Sequence, residues 1–245
     1  MNISSQLQLY VINLDSNLER RESLVYEGSK VGLKLVRVSA VLASDLNETD
    51  ENCVSSGVRA AWLSHLKAMQ YFLESDAEFA IIAEDDFQVV NTNKLHKYLE
   101  KSSTYDFDLI QFGFLKTGID IRIRVLVSNL QLSFFKAVGV LSRVKLLGRF
   151  DLSGRMRVSD ALRTPSGLVP FDCEPGAHFY LISRFLASEM VKLNNPQFLS
   201  IDDFFTALAK MRAFKMARMR NSIVSQKDFQ PWSGERFKSR SRKLA

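Results

Sequence analysis

The apolar run Phe79-Ala80-Ile81-Ile82-Ala83 ends in three consecutive carboxylates, Glu84-Asp85-Asp86. Five apolar residues without alternation read as a strand buried on both faces. A sheet built around such a strand needs cover on both sides. Chains that turn immediately after a strand of this kind often carry function at its carboxyl end. Three adjacent negative charges repel, and a positive partner, usually a hard divalent cation, would relieve them. A cation held there is well placed to bind a nucleotide diphosphate. The run also reads as a solvated acidic turn, and taken alone it does not choose between the two.

The flanking sequence supplies the cover. Strands are expected at residues 7–14, 35–38, 79–83 and 107–112. Between them lie helices at 17–31, stopped by Gly32, at 57–73, and at 92–100. In the second helix Val58, Ala61, Trp62, Met69 and Phe72 follow the 3.6-residue period. This βαβ alternation predicts an α/β fold with a mostly parallel central sheet and helices on both faces. Beyond residue 115 the pattern weakens. A strand is expected at 134–141, and residues 148–170, basic and rich in Gly and Pro, read as a long loop. Regular structure returns with a strand at 178–182 and a helix capped by Ser183. A last helix, capped by Ser200, runs to about Met211. It should not continue far, because Lys215 and Arg218 would fall on its apolar stripe.

The composition is that of an ordinary soluble globular protein, 46% hydrophobic and 24% charged over 245 residues. The polar, uncharged start does not read as a secretory signal. No run approaches the ~18 apolar residues of a membrane span. Cys53 and Cys173 are too few and too far apart for a disulfide framework or a metal-ligand spacing, so a cytoplasmic location is expected. Charge is divided unevenly. Residues 1–110 carry 10 Lys/Arg and 17 Asp/Glu, a net of −7, and residues 111–245 carry 23 and 10, a net of +13. The basic half suits phosphate, nucleic acid or an anionic membrane. Its tail holds Arg236, Lys238, Arg240, Arg242 and Lys243, and reads as a mobile segment over 236–245.

Several other residues could carry chemistry. His65 lies on the apolar stripe of its helix, so its imidazole needs a buried partner. Ser64-His65 could fix the loop after a neighbouring strand. Asn13 and Asp15 end the first strand, with Arg20-Arg21 in the first turn of the next helix. In an open α/β sheet that crevice is the expected ligand site, and Arg suits a phosphate. The alternative is that Asp15 and Glu19 cap the helix and both arginines are solvated. His178 opens the strand Gly176-Ala177-His178-Phe179-Tyr180 and could add to a carboxylate-held cation, or be a lone strand histidine. Ser200 as N-cap puts Asp203 at a capping-box position. One of Asp202 and Asp203 is then structural, and the other could be a general base for a hydroxyl nucleophile.

Four blocks recur in a familiar order. They are Val11-Ile12-Asn13-Leu14-Asp15 with Glu19-Arg20-Arg21, Gly57 with Leu63-Ser64-His65-Leu66-Lys67-Ala68, Ala80 to Asp86, and Gly176 to Ser183 with Asp202 beyond. Together they resemble glycosyltransferase family 25, the bacterial lipopolysaccharide (lipooligosaccharide) sugar transferases related to collagen galactosyltransferases. The resemblance covers about residues 7–115 and 173–227. It departs at Ser16, where the family commonly has Arg, so Arg20 or Arg21 must supply the positive charge. It also departs at Ala61, often Cys in the family, which argues against thiol chemistry.

The resemblance implies a GT-A-like nucleotide-binding sandwich over residues 1–235, with 116–170 as a variable acceptor-side insertion. It implies an inverting hexosyltransferase that moves galactose or glucose from a UDP-sugar to a lipopolysaccharide or lipooligosaccharide core sugar. Mn²⁺ or Mg²⁺ would be held by Asp86, by Glu84 or Asp85, and by His178. Asn13, Asp15, Arg20 and Ala40 would line the nucleotide pocket, with His65 supporting it, and Asp202 would be the base. A membrane-borne acceptor makes peripheral contact with an anionic inner-membrane face a further expectation. Two other classes remain open, a metal-dependent nucleotidyltransferase and a non-enzymatic nucleic-acid-binding module. The aromatics do not interleave with the basic clusters in a nucleic-acid motif, so no nucleic-acid partner is expected.

Overall fold

The computed structural model describes residues 7–46, 55–101, 104–114, 164–170, 172–193 and 199–227. The strand expected at 134–141 and the basic tail lie outside them. Nine strands form one sheet among these residues. They are β1 Gln8–Asn13, β2 Lys34–Ser39, β3 Phe79–Glu84, β4 Phe87–Val89, β5 Leu109–Gly113, β6 Leu168–Pro170, β7 Phe179–Ser183, β8 Met216–Met219 and β9 Val224–Gln226. The helices are α1 Leu18–Val31, α2 Ser56–Leu73, α3 Thr92–Glu100, α4 Arg184–Lys192 and α5 Ile201–Lys210.

The order across the sheet is β2-β1-β3-β7-β5-β8-β6, with β4 paired to β9 and β9 also to β5. β1, β2 and β3 are parallel, as the βαβ pattern predicts. The sheet as a whole is mixed rather than mostly parallel. β7 enters antiparallel between β3 and β5, and β6 antiparallel to β8. This insertion places the start of β7 beside the carboxyl ends of β1, β3 and β5.

Both faces of the sheet are buried, and strand alternation sorts the side chains into two cores. Tyr10, Ile12, Ala80, Ile82, Tyr180 and Ile182 pack with α2, α4 and α5. Leu9, Val11, Ile81, Ala83, Phe179 and Leu181 pack with α1 and α3. The buried stripe of α2 runs through Trp62, His65, Leu66, Met69 and Phe72. Ala61, expected on that stripe, is exposed. Its small side chain says little about which face it occupies.

Local signals act where expected, with shifts at the ends. Asn17, not Asp15, caps α1, its side chain accepting from the Arg20 N–H, and Gly32 ends the helix at φ +71°. Ser183 and Ser200 cap α4 and α5. The strand expected at 107–112 begins only at Leu109. Asp108 is instead occupied by the Ser183 hydroxyl and the Lys215 N–H. Within the stretch read as a loop, Leu168–Pro170 is a strand, placed at the end of the sheet where a proline does not interrupt a ladder on both sides. No helix among the described residues is long and apolar enough to cross a membrane.

One buried charge ties α1 to the β4–β9 pair. Glu27, 1% exposed in its side chain, accepts from the Val89 N–H and pairs with Lys30 and with Lys227 at 3.0 Å. Burial would raise its carboxyl, but these donors overcome it and hold it below the ordinary range. A depressed carboxylate stabilises the fold above its unfolded value and loses that contribution as pH falls through the folded one. Glu27→Ala should therefore cost about 3 kcal/mol at neutral pH, because Lys227 and the Val89 N–H lose their partner. In urea titrations the difference from the native chain should shrink below about pH 4.

Candidate active site

The carboxyl edge of β1 and β3 gathers the first half of the site. Asn13 ends β1, is 1% exposed, and donates from Nδ2 to Asp85 Oδ2 at 2.7 Å. Arg20, in the first turn of α1, donates from Nη1 to Asp85 Oδ1 at 2.6 Å and lies 3.6 Å from Asp86 Oδ2. The positive partner demanded by the acidic run is thus, among the described residues, the Arg20 guanidinium. Arg21 is exposed.

The three carboxylates meet different fates. Asp85 is buried and engaged by Asn13 and Arg20. Glu84 keeps a side chain 33% exposed, with Oε1 3.3 Å from His65 Nε2. Burial would raise its carboxyl, but the His65 hydrogen bond, with the favourable electrostatics of His65, His178 and Arg20 around it, holds it below the ordinary value. Among the described residues the Asp86 carboxylate has Gln226 Nε2 at 3.4 Å and Arg20 at 3.6 Å. Burial first, then the charges of Glu84 and Asp85, push its carboxyl up to about 7 against the pull of Arg20.

His65 is 1% exposed, and its other nitrogen, Nδ1, lies 2.9 Å from the Tyr180 hydroxyl. The phenol keeps its proton at neutral pH, since burial raises it well above its usual value. The Glu84 carboxylate can only accept, so Nε2 carries the hydrogen toward it, and in the neutral ring Nδ1 accepts from the Tyr180 hydroxyl. Ser64, one position earlier, accepts from the Val41 N–H at 2.8 Å and so holds the loop after β2.

Asp15 is exposed. Hydrogen bonds from Ser39 and Arg37 lower its carboxyl. Arg37 also donates to Asn13 Oδ1 at 2.9 Å, and the Ala40 N–H donates to the Asn13 carbonyl at 3.0 Å. Asn13 is therefore the hinge between the β2 side of the crevice and the acidic turn.

The second half of the site comes from β7 and α5. The Glu84 N–H donates to the His178 carbonyl at 3.0 Å, so His178 sits at the strand end that bears the acids. Its ring is 1% exposed. Nε2 is 3.5 Å from the Val224 carbonyl, and Nδ1 has no hydrogen-bond partner among the described residues. Burial lowers its basicity, against the attraction of Glu84. The ring fits only because Gly113 carries no side chain: a Cβ there would lie 2.5 Å from His178 Nε2.

Asp202 and Asp203 both sit in the first turn of α5 and face different ways. Asp203 is exposed and shares two hydrogen bonds with Ser200, accepting the hydroxyl at 2.7 Å and donating its N–H at 3.1 Å. Asp202 turns inward and accepts the Ala177 N–H at 2.7 Å. Burial first, then the Glu84 charge, raise its carboxyl to about 6, opposed by the Ala177 and Gly176 N–H groups.

Among the described residues no three His, Cys, Asp or Glu side chains are grouped so that they could hold a metal ion by themselves. The donor chemistry still suits a hard cation. Mg²⁺ and related ions are commonly held by one or two carboxylates, with substrate phosphates completing the shell. Glu84 and Asp86 are of that kind, and the unpartnered His178 Nδ1 is a further donor.

Tyr180, Arg37, Gly113, Gln226 and Gln111 also shape the site, and no motif in the sequence points to them as site residues. Gln111 alone had a visible signal, as the one polar residue of an otherwise apolar strand. Nothing in the sequence marks Gln226, which reaches Asp86 only because β9 pairs with β4.

The raised Asp86 carboxyl gives a stability test. A carboxyl raised in the fold holds its proton more tightly there than when unfolded, so its ionisation costs stability as pH rises through about 7. With chelator present, Asp86→Asn should lose less stability than the native chain between about pH 5 and about pH 8. Urea midpoints at the two pH values measure it, and equal slopes would show Asp86 to titrate normally.

A comparison with curated proteins finds no match. The model of glycosyltransferase family 25 (LPS biosynthesis protein) matches residues 6–120, which take in the first three of the four motif blocks, while the block at Gly176 to Ser183 with Asp202 lies beyond the match.

Proposed function

We propose that the chain is an inverting transferase of GT-A-like architecture. It moves a hexose, galactose or glucose, from a UDP-sugar to a core sugar of lipopolysaccharide or lipooligosaccharide. The observation that carries this reading is the meeting of the Glu84-Asp85-Asp86 turn with Asp202, contributed by a separate helix, at one edge of the sheet. A displacement with inversion needs those two parts, a charged seat for the leaving diphosphate and a base for the incoming hydroxyl.

Each residue has a role in that reaction. Asn13, Ala40 and Asp15 line the nucleotide crevice after β1, and Arg20 sets a fixed positive charge beside the acidic turn. The acceptor hydroxyl oxygen forms its bond to the anomeric carbon as the bond to the β-phosphate oxygen breaks, and UDP leaves with that electron pair. Asp202 accepts the hydroxyl proton. A carboxyl near 6 is largely ionised at neutral pH yet basic enough to take a proton in the transition state. His65, backed by Tyr180, fixes Glu84. Mn²⁺ or Mg²⁺ bound by Asp86 and Glu84, with His178 beside it, would neutralise charge developing on the diphosphate.

The direct test is hydrolysis of UDP-glucose, UDP-galactose and UDP-N-acetyl sugars by the purified chain with and without Mn²⁺. Release of UDP from one of the hexose donors, abolished in Asp86→Ala, is expected. Protection from heat by a nucleoside triphosphate and not by UDP-sugars would instead favour nucleotidyl transfer.

The two adjacent acids give a sharper check. Asp202→Asn should lose roughly 10²–10⁴-fold in kcat and keep UDP affinity. Asp203→Asn should cost about 1 kcal/mol of stability with little change in rate. The opposite pattern would assign the base to Asp203.

A further inference from the structure

β5 departs from a regular ladder at one point. Gln111 is paired with Tyr180 and Gly113 with Phe179, so Phe112 is an extra residue between two adjacent partners. Such bulges re-aim side chains and occur beside functional sites. The residue just before this bulge is Gln111, 3% exposed. Its Nε2 donates to the carbonyls of Glu174 at 2.7 Å and Gly176 at 3.0 Å, and its Oε1 accepts the Glu174 N–H at 2.8 Å. Both amide hydrogens and the oxygen are therefore spent on the segment that leads into β7.

That segment is the one that holds Asp202. Gly176, fixed at φ +107°, turns the chain, and the next residue donates its N–H to Asp202 at 2.7 Å. A second clamp acts on the same stretch. Arg218 on β8 bonds Asp172 at 2.8 Å and lies 3.7 Å from Glu174. Of the two clamps, only Gln111 grips the backbone on both sides of Pro175. An unbroken set of hydrogen bonds thus runs from the β5 bulge through residues 174–177 to the carboxylate on α5.

We infer that Gln111 is a positioning residue for transfer, setting the Asp202 carboxylate through the backbone of residues 174–177. This rests on Asp202 being the base. A loosened amide clamp would let that carboxylate drift, and small misplacements of a catalytic group cost large factors in rate.

The test compares Gln111→Met, which keeps the size and loses all three bonds, with Gln111→Glu, whose carboxyl, held neutral by burial against two carbonyls, keeps the acceptor and one of the two donated bonds. Amide hydrogen exchange at Ala177 is read against Ile81 and Ile82 of β3. UDP affinity is measured by calorimetry, and kcat by hydrolysis of the best UDP-hexose. In Gln111→Met, Ala177 should exchange roughly 10-fold or more faster while β3 keeps its protection. Its kcat should fall roughly 10–100-fold at unchanged UDP affinity. Gln111→Glu should fall between Gln111→Met and the native chain in both readouts, and it serves alone where Gln111→Met does not fold. Native Ala177 protection in a folded variant would overturn the inference, as would loss of protection spread equally over β3. A native chain that hydrolyses no UDP-hexose would defeat the transferase reading, while Ala177 exchange would still decide whether Gln111 sets the contact to Asp202.

Discussion

The antiparallel pairing of β3 with β7 is the constraint from which the site follows. In that register Ala83 faces Phe179, and the Glu84 N–H reaches the His178 carbonyl. A parallel β7 would have carried His178 to the opposite edge of the sheet. Because the pair is antiparallel, the segment entering β7 arrives where β1 and β3 end, and it carries the Gly176 and Ala177 amides with it. Those amides hold Asp202, so α5 joins the site through the same pairing. Two stretches of chain far apart in sequence, one ending at Asp86 and the other starting near Glu174, meet along one strand boundary.

The charge problem at that boundary is severe enough to shape everything around it. Two unit charges about 4 Å apart interact by about 4 kcal/mol at an effective dielectric of 20. A folded domain has only about 5–15 kcal/mol of net stability. Three adjacent carboxylates cannot all stay ionised and unpartnered within that margin. The structure gives each a different answer. Asp85 takes Arg20 and Asn13, Glu84 takes a histidine oriented by Tyr180, and Asp86 keeps a raised proton affinity. The acid with the fewest partners is therefore the one with most to gain from a cation.

Much of the frame was legible because it depends on near neighbours in sequence. The unbroken apolar run at 79–83 marks a two-faced strand, and the 3.6-residue spacing places His65 on the buried side of α2. Ser183, Ser200 and Gly32 act through bonds only a few residues long. What depends on distant partners was not legible. The direction of β7 is set by pairing across the sheet, and so is the contact of Gln226 with Asp86. Arg37 looked like an ordinary β2 residue until β1 brought Asn13 beside it. The positive charge for the acidic turn was traced to Arg20 or Arg21, and only the fold separates them. Arg20 faces the turn while Arg21, 100° further around the helix, faces water.

Asp202 and Asp203 carry the same lesson to the other side of the site. Both sit in the first turn of α5, where the positive helix end favours acids, so composition and position give them equal claims. Adjacent helical residues point about 100° apart. Asp203, three residues after the cap, turns back onto Ser200 and completes the helix start. Asp202 is thereby turned toward the sheet, where the amides before β7 wait for an acceptor. The cap thus does more than begin a helix. By occupying one carboxylate it fixes the rotation at which the other enters the site, and the clamp from Gln111 holds the amides that receive it.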